Sequence, residues 1–188
     1  MSHSSILLID TSASRCAVGL AAEVLHQRFG AEERKSAQNL LPLVAEITQS
    51  ANIALKDLSA IAVMAGPGSF TGLRIGVGVA QALAMANRTP GIVLSNLAVL
   101  ALAAAEATAA NTFFVALPAR EGEFYFAAYA SDDVHGVRLL GREQVASPEQ
   151  LLFLEGVEEA VLLGEVWGSE EGLRLRAEAC ARGISYFN

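Results

Sequence analysis

Residues 66–76 read GPGSFTGLRIG and directly follow the apolar run IAVMA. Four glycines, a proline and two hydroxyl residues occupy these eleven positions. Glycine at this density indicates either a loop that holds a phosphate or a place where two backbone segments come unusually close. The spacing of the glycines helps to separate these two alternatives.

The spacing excludes the two common phosphate-binding motifs. A P-loop requires a lysine directly after its last glycine, and no lysine follows any glycine of this segment. The dinucleotide fingerprint requires G-x-G-x-x-G, whereas Gly66, Gly68 and Gly72 are spaced one residue too far. The amides at a helix N-terminus still attract anions, so a bound phosphate or carboxylate stays an open alternative.

The segment instead predicts a type II turn at residues 66–69 followed by a helix over 71–86. Thr71 is expected to cap this helix, with Phe70 packed onto Ile75. Two glycines inside a helix cost roughly 1 kcal/mol each relative to alanine, so a close packing partner should offset them. Internal packing and docking of a partner chain both agree with the spacing. The stripe and its neighbours are Gly72, Gly76, Val79, Ala80 and Leu83.

Outward from this segment, hydrophobic periodicity predicts an α/β chain. Strands are expected at 5–10, 16–21, 24–29, 61–65 and 91–94, and further helices at 36–51 and 97–108. The helix over 36–51 has an apolar stripe formed by Leu40, Val44, Ile47 and Ala51. After residue 110 the same order returns, with strands at 112–117, 123–130, 137–140 and 161–163, and helices at 148–154 and 170–181.

The second half is therefore expected to be one strand short. The two halves share their order of elements but show no residue-level identity. Two such units describe a duplicated ribonuclease-H-like fold, the architecture of actin, sugar kinases and Hsp70. We expect an N-terminal half over 1–110 and a shorter C-terminal half over 111–188.

Composition limits the functions open to the chain. Its 188 residues carry a net charge of −7, which does not suit a protein that grips a phosphate backbone by itself. Polar residues interrupt the apolar stretch 91–110, which favours a buried helix over a membrane span. The N-terminus lacks the pattern of a signal peptide. Cys16 and Cys180 are expected to be buried, reduced thiols, so we predict a cytoplasmic protein with no membrane association.

Most of the catalytic residues that enzymes of this fold use are missing from the sequence. Asp10-Thr11-Ser12 ends the first strand, where actin-like ATPases and sugar kinases place a phosphate loop, but no glycine follows before Gly19. A local turn is the favoured role for these three residues. The histidines lack zinc-binding spacing, and no base is evident for Ser12, Ser69 or Cys16. We therefore predict no catalytic residue, no metal and no cofactor.

Four stretches resemble the bacterial TsaB (YeaZ) family: ILLIDTSASRCAVGL, KSAQNLLPLV, GPGSFTGLRIGVGVAQALA and AREGEFYFAAY. The resemblance covers nearly the whole chain. It implies an actin-like fold without catalysis, and a role in threonylcarbamoyl transfer to the adenosine 3′ of the anticodon in ANN-reading tRNAs. The implied partners are a TsaD-like catalytic subunit and a TsaE-like ATPase, with homodimers in isolation and tRNA contacted only through the complex.

The resemblance also implies that two N-terminal helices form the partner interface. They carry Leu40, Val44, Ile47 and Ala51 on one helix and Thr71, Gly72, Arg74, Gly76, Val79, Ala80 and Leu83 on the other. Arg74 is expected to be an exposed helix arginine, with pairing to a partner carboxylate as the alternative. On the partner hypothesis Gly76→Leu weakens pairing while the monomer stays folded. The chain departs from its relatives at Lys35-Ser36-Ala37 and Pro118-Ala119-Arg120, and relatives continue into a further helix and strand.

Two other hypotheses remain. One is an actin-like kinase or phosphatase with a diverged phosphate loop, which would bind ATP through Asp10. The other is a homodimeric module that serves a different partner. The sequence assigns no role to Arg120, Glu123 and Tyr125 beyond completing a strand.

Overall fold

The computed structural model describes residues 4–33, 35–120, 122–153 and 157–187. Contacts divide the chain into a first unit that ends at Asn96 and a second that begins at Leu97. Each unit contains one five-stranded sheet with the same arrangement of strands. The duplicated ribonuclease-H-like fold expected from the sequence is confirmed.

The first unit follows the predicted order of elements. Its sheet is arranged β3-β2-β1-β4-β5, with β1–β3 antiparallel and β4 and β5 parallel to β1. The helices α1 and α2 cross between the parallel strands. The bounds are β1 Ile6–Asp10, β2 Ala17–Ala21, β3 Leu25–Phe29, α1 Ser36–Ala51, β4 Ala60–Met64, α2 Phe70–Asn87 and β5 Gly91–Leu94.

One face of this sheet carries the core of the first unit. Alternate residues of β1 and β2 point to this face, including Leu7, Ile9 and Val18, all at most 1% exposed. Helix α1 covers them with Leu40 and Ile47. The side chains that alternate along the strands and those that recur every 3.6 residues along α1 thus lie in one hydrophobic cluster. These two periods are the reason why the bounds of these elements could be predicted from the sequence.

The second unit repeats the arrangement as β8-β7-β6-β9-β10. One sheet face packs against α4 and the other against α3. Neighbouring residues of β6 therefore enter different clusters: Phe114 packs with Phe126 and Phe153, and Phe113 packs with Leu97. The bounds are α3 Asn96–Ala107, β6 Thr112–Pro118, β7 Phe124–Asp132, β8 Gly136–Ala146, β9 Glu159–Leu163, α4 Glu170–Ala181 and β10 Ser185–Phe187.

Three sequence predictions for this unit are wrong. The fifth strand is present as β10, which pairs in parallel with β9; three residues are too few to show a hydrophobic period. The helix predicted over 148–154 is only a 3₁₀ turn at Pro148–Gln150, and Leu154 lies outside the described residues. Cys180 is exposed rather than buried, while Cys16 is buried as expected.

The boundary between the units also differs from the expected division after residue 110. Leu97 and Ala101 of α3 are buried against Val115 and Ala127 of the second sheet. Helix α3 therefore belongs to the second unit, although in chain order it completes the first β-β-β-α-β-α-β-α pattern. Across the described residues, no helix is long and apolar enough to cross a membrane.

The turn between β7 and β8 predicts a pH-dependent contribution to stability. The pKa of Asp132 is lowered, chiefly because its carboxylate accepts a hydrogen bond from the backbone N–H of His135, and also by the His135 ring and the Val134 N–H. A depressed pKa stabilises the fold at pH values above the unfolded pKa of about 3.9. This stabilisation is lost as the pH falls through the folded pKa.

We therefore expect Asp132→Asn to lower the free energy of unfolding at pH 6, and to do so less at pH 3. Urea unfolding of both proteins at the two pH values measures this difference. Asp133→Asn is the matched control, because Asp133 is the exposed neighbour in the same turn. A difference that does not shrink on acidification would contradict the assignment.

Candidate functional site: the glycine loop, the end of strand β1 and the face of helix α2

The loop that follows β1 is tied by a chain of hydrogen bonds. The Asp10 carboxylate accepts from the Ser12 N–H at 2.8 Å and from the Ser12 hydroxyl at 2.6 Å. The Ser12 hydroxyl in turn accepts from Asn96 Nδ2 at 2.7 Å. The local turn predicted for Asp10-Thr11-Ser12 is confirmed, since the Asp10 side chain bonds the backbone two residues on.

The glycine loop lies directly on this turn. The Ser69 N–H donates to the Ser12 carbonyl at 2.7 Å, and the Asn96 N–H donates to the Gly66 carbonyl at 2.8 Å. A Cβ on Gly68 would lie 2.7 Å from the Ser12 carbonyl oxygen, so the two backbones touch. The loop is not the predicted type II turn, because Gly68 lacks the positive φ that such a turn requires at its third residue.

Helix α2 begins at Phe70 and is capped by Ser69, not by the predicted Thr71. The Ser69 hydroxyl accepts from the Gly72 N–H at 3.3 Å. Phe70 does not pack onto Ile75 as expected. It is 69% exposed, and the Arg74 guanidinium lies over its ring at 3.8 Å from the centroid.

The glycine stripe of α2 packs inside the chain, against Thr11. A Cβ on Gly72 would overlap the Thr11 carbonyl oxygen, and one on Gly76 would overlap the Thr11 hydroxyl. The Thr11 side chain is fully buried and donates to the Gly72 carbonyl at 2.7 Å. The glycines therefore serve a close backbone approach, as the sequence indicated, but the backbone is that of β1's own loop.

This geometry separates the predicted interface residues into two groups. Six of them are buried in the first unit and are not available to a partner in this structure: Leu40, Val44, Ile47, Gly72, Gly76 and Ala80. Thr71 and Arg74 are exposed, and Ala51, Val79 and Leu83 are half-buried. The apolar stripes mark the inner faces of α1 and α2, since burial in the monomer already accounts for them.

The outer face of α2 contains Arg74, which the sequence indicated, together with residues that sequence reasoning missed. Phe70, Arg74, Gly78 and Met85 are exposed there, Met85 at 81%. A Cβ on Gly78 would meet nothing within 4 Å, unlike those on Gly72 and Gly76. On the neighbouring helix α1, Leu41 is 54% exposed. We call Phe70, Arg74, Gly78, Met85 and Leu41 the outer helix face.

The second unit repeats part of the glycine-loop geometry. Its helix α4 is capped by Ser169, whose hydroxyl accepts from the Gly172 N–H at 3.0 Å, as Ser69 does for Gly72. A Cβ on Gly172 would lie 2.7 Å from the Trp167 Cα. This correspondence was missed because the loops before the two caps differ in length.

In the second unit Arg120 and Glu123 lie just before β7, and Tyr125 is the second residue of that strand. Arg120 Nε contacts Glu123 Oε2 at 2.8 Å, and both residues line a cavity of about 330 Å³. Arg120 is largely exposed, so this ion pair contributes little to stability. Among the described residues, no three His, Cys, Asp or Glu side chains are grouped so that they could hold a metal ion.

Comparison with known proteins places the chain in a family. The model of the family described as TsaD, tRNA N6-adenosine threonylcarbamoyltransferase, matches residues 23–167. The Escherichia coli tRNA threonylcarbamoyladenosine biosynthesis protein TsaB is 37% identical over 185 residues, which cover 91% of this chain and 78% of the relative. The Haemophilus influenzae TsaB is 34% identical over 178 residues, covering 90% and 75%.

A solved structure agrees with the sequence relatives. YeaZ from Pseudomonas aeruginosa superimposes with a TM-score of 0.77 at 31% identity, covering 98% of this chain and all of the other. Fold and sequence likeness thus extend over nearly the whole chain. The chain belongs to the TsaB (YeaZ) family of tRNA threonylcarbamoyladenosine biosynthesis proteins.

Proposed function

We propose that this chain is a non-catalytic, cytoplasmic partner subunit in threonylcarbamoyl transfer to the adenosine 3′ of the anticodon in ANN-reading tRNAs. It holds a TsaD-like catalytic subunit in its active conformation through a shared helical interface. The observation that carries this proposal is the outer helix face, in a chain of the TsaB family. The interface is thus assigned to the same two helices that the sequence indicated, but to their outward residues.

Gly78 is the strongest support for a docking role of this face. A glycine inside a helix costs about 1 kcal/mol relative to alanine. Gly72 and Gly76 offset that cost by close packing on Thr11, whereas no contact among the described residues does so for Gly78. A partner helix that crosses α2 at Gly78 would gain the same close approach, flanked by the exposed Arg74 and Met85.

The exposed apolar side chains of this face support the same role. Phe70 and Met85 are among the most exposed large apolar residues of the first unit. Large apolar side chains beside an arginine are the composition that protein interfaces favour. In a homodimer the same face would pair with itself, so homodimer and heterodimer compete for it.

The closed packing of the glycine loop supports a role without nucleotide chemistry. The place where an actin-like ATPase would hold phosphate lies beside Ser12, and Gly68 rests on the Ser12 backbone there. Asp10 Oδ1 accepts two hydrogen bonds from Ser12, so this oxygen is engaged within the loop. ATP use in the pathway then falls to the TsaE-like ATPase and the other partners.

The distribution of charged residues along the chain supports the proposal that a partner subunit, rather than this chain, binds the tRNA. Residues 1–96 carry six acidic and seven basic side chains, whereas residues 97–188 carry fourteen acidic and six basic ones. The second unit therefore repels a phosphate backbone. We infer that tRNA is contacted through the catalytic subunit.

The test is threonylcarbamoyl transfer to tRNA by a purified TsaD-family subunit and its pathway partners, with and without this chain. We expect product only when the chain is present, and no ATP hydrolysis by the chain alone. Equal product without the chain would refute the accessory role. Hydrolysis by the chain alone that Asp10→Asn abolishes would refute the non-catalytic assignment.

A further inference from the structure

The two ends of helix α2 are held in place by different contacts. Its C-terminal half inserts apolar side chains into the first-unit core, notably Val79, Leu83 and Ala84. Its first two turns add the half-buried Ile75 and Val77 to the same core, but they place Gly72 and Gly76 against the loop after β1. A glycine has no side chain that could interdigitate, so at this contact packing alone resists sliding of the helix less well.

One buried side chain supplies a specific contact to the first two turns of α2. The Thr11 hydroxyl lies beside Gly76 and donates to the Gly72 carbonyl at 2.7 Å, in a fully buried position. It comes from the end of β1, 61 residues away in sequence. Because both glycines surround it, a shift or rotation of this end of α2 would either break the bond or collide with Thr11.

The opposite side of the same two turns carries Phe70 and Arg74. Their ring–guanidinium pair is exposed and has no other anchor among the contacts described. Its position is therefore set by the position of the helix backbone beneath it. Met85, at the other end of the outer helix face, depends instead on the well-packed C-terminal half.

We propose that Thr11 is a positioning residue for the partner-binding surface, acting on the Phe70–Arg74 end through Gly72. This inference rests on the proposed function for its binding readout. It makes no use of Thr11 as a contact to the partner, since the side chain is completely buried.

A double-mutant cycle tests the inference with a TsaD-family catalytic subunit as the binding partner. We expect Thr11→Ala to weaken binding about tenfold, and Thr11→Ser, which keeps the hydroxyl, by less than about threefold. In the Thr11→Ala background, Phe70→Ala should lose most of its own effect on binding, whereas Met85→Ala should keep all of it. If the effects of Phe70→Ala and Met85→Ala on binding were both additive with that of Thr11→Ala, the inference would be overturned. Thr11 would then act on overall stability alone.

Amide hydrogen exchange of the isolated chain tests the inference without a partner. If the catalytic subunit did not bind at all, that result would refute only the proposed function, and the exchange measurement would still decide the role of Thr11. In Thr11→Ala we expect amides 73–77 to exchange about tenfold faster relative to amides 80–84, with Thr11→Ser restoring the wild-type ratio. A uniform change along α2 would overturn the inference. If Thr11→Ala does not fold, Thr11→Ser serves as the test, because it keeps the hydroxyl. A change in the ratio of exchange rates between amides 73–77 and 80–84 in Thr11→Ser would then overturn the inference.

Discussion

Gly72→Ala should destabilise the isolated chain by about 3 kcal/mol, because the new methyl group would overlap the Thr11 carbonyl oxygen. The obstacle is backbone rather than the end of a flexible side chain, so either the loop after β1 or the whole helix must move. For a chain of this size the loss corresponds to a fall in Tm of about 10 °C. Thermal unfolding followed by circular dichroism measures the change.

Gly78→Ala is the matched control on the same helix. It makes the identical chemical change at a position with open space around the new Cβ. Here we expect the opposite sign, a gain of about 1 kcal/mol from helix propensity. If both variants lowered Tm equally, the close approach of Gly72 to Thr11 would not be the cause.

The same contact changes what Gly76→Leu can report. From the sequence, this substitution was expected to weaken partner pairing in a folded monomer. In the structure a Cβ on Gly76 would overlap the Thr11 hydroxyl, so a leucine there should disrupt the first unit itself. Loss of pairing by this variant would carry no information about the interface.

Most of the fold could be predicted because each element shows its own period over enough residues. Helix α1 and strand β5 have the predicted bounds, Ser36–Ala51 and Gly91–Leu94. The fifth strand of the second sheet was missed because three residues show no period. Helix α3 was assigned to the wrong unit because chain order does not tell which sheet an apolar helix covers.

The candidate site was predicted only in part, and for a specific physical reason. Four-residue spacing of Gly72 and Gly76 shows that some backbone must come close, but not to which chain that backbone belongs. The signal for the outer face was Gly78, which lies two residues after Gly76 and is therefore out of phase with the four-residue stripe. A glycine that the internal stripe does not explain is the one to examine for a partner contact.

Gly78→Leu should therefore separate pairing from folding. The substitution raises helix propensity by roughly 0.8 kcal/mol, and its Cβ would have no atom of the described residues within 4 Å, so the monomer should be folded and slightly stabilised. In the proposed complex, however, the leucine would stand where a partner helix crosses α2 at close range. We expect affinity for the catalytic subunit to fall about 100-fold, equivalent to about 2.7 kcal/mol. Titration of the two purified proteins by calorimetry measures this loss.

Ala177→Leu supplies the control for an added leucine on an exposed helix. Ala177 is exposed on α4 in the second unit, a helix that carries none of the residues of the outer helix face. This variant should bind the catalytic subunit as the wild type does, and Gly78→Ala should weaken binding less than Gly78→Leu does, because a methyl group intrudes less on the close approach. Sedimentation of the isolated chain should show the wild type as the proposed dimer and Gly78→Leu as a monomer. A Gly78→Leu variant that pairs normally in both assays would remove the outer face of α2 from the interface, because a leucine cannot fit between two helices that pack backbone to backbone.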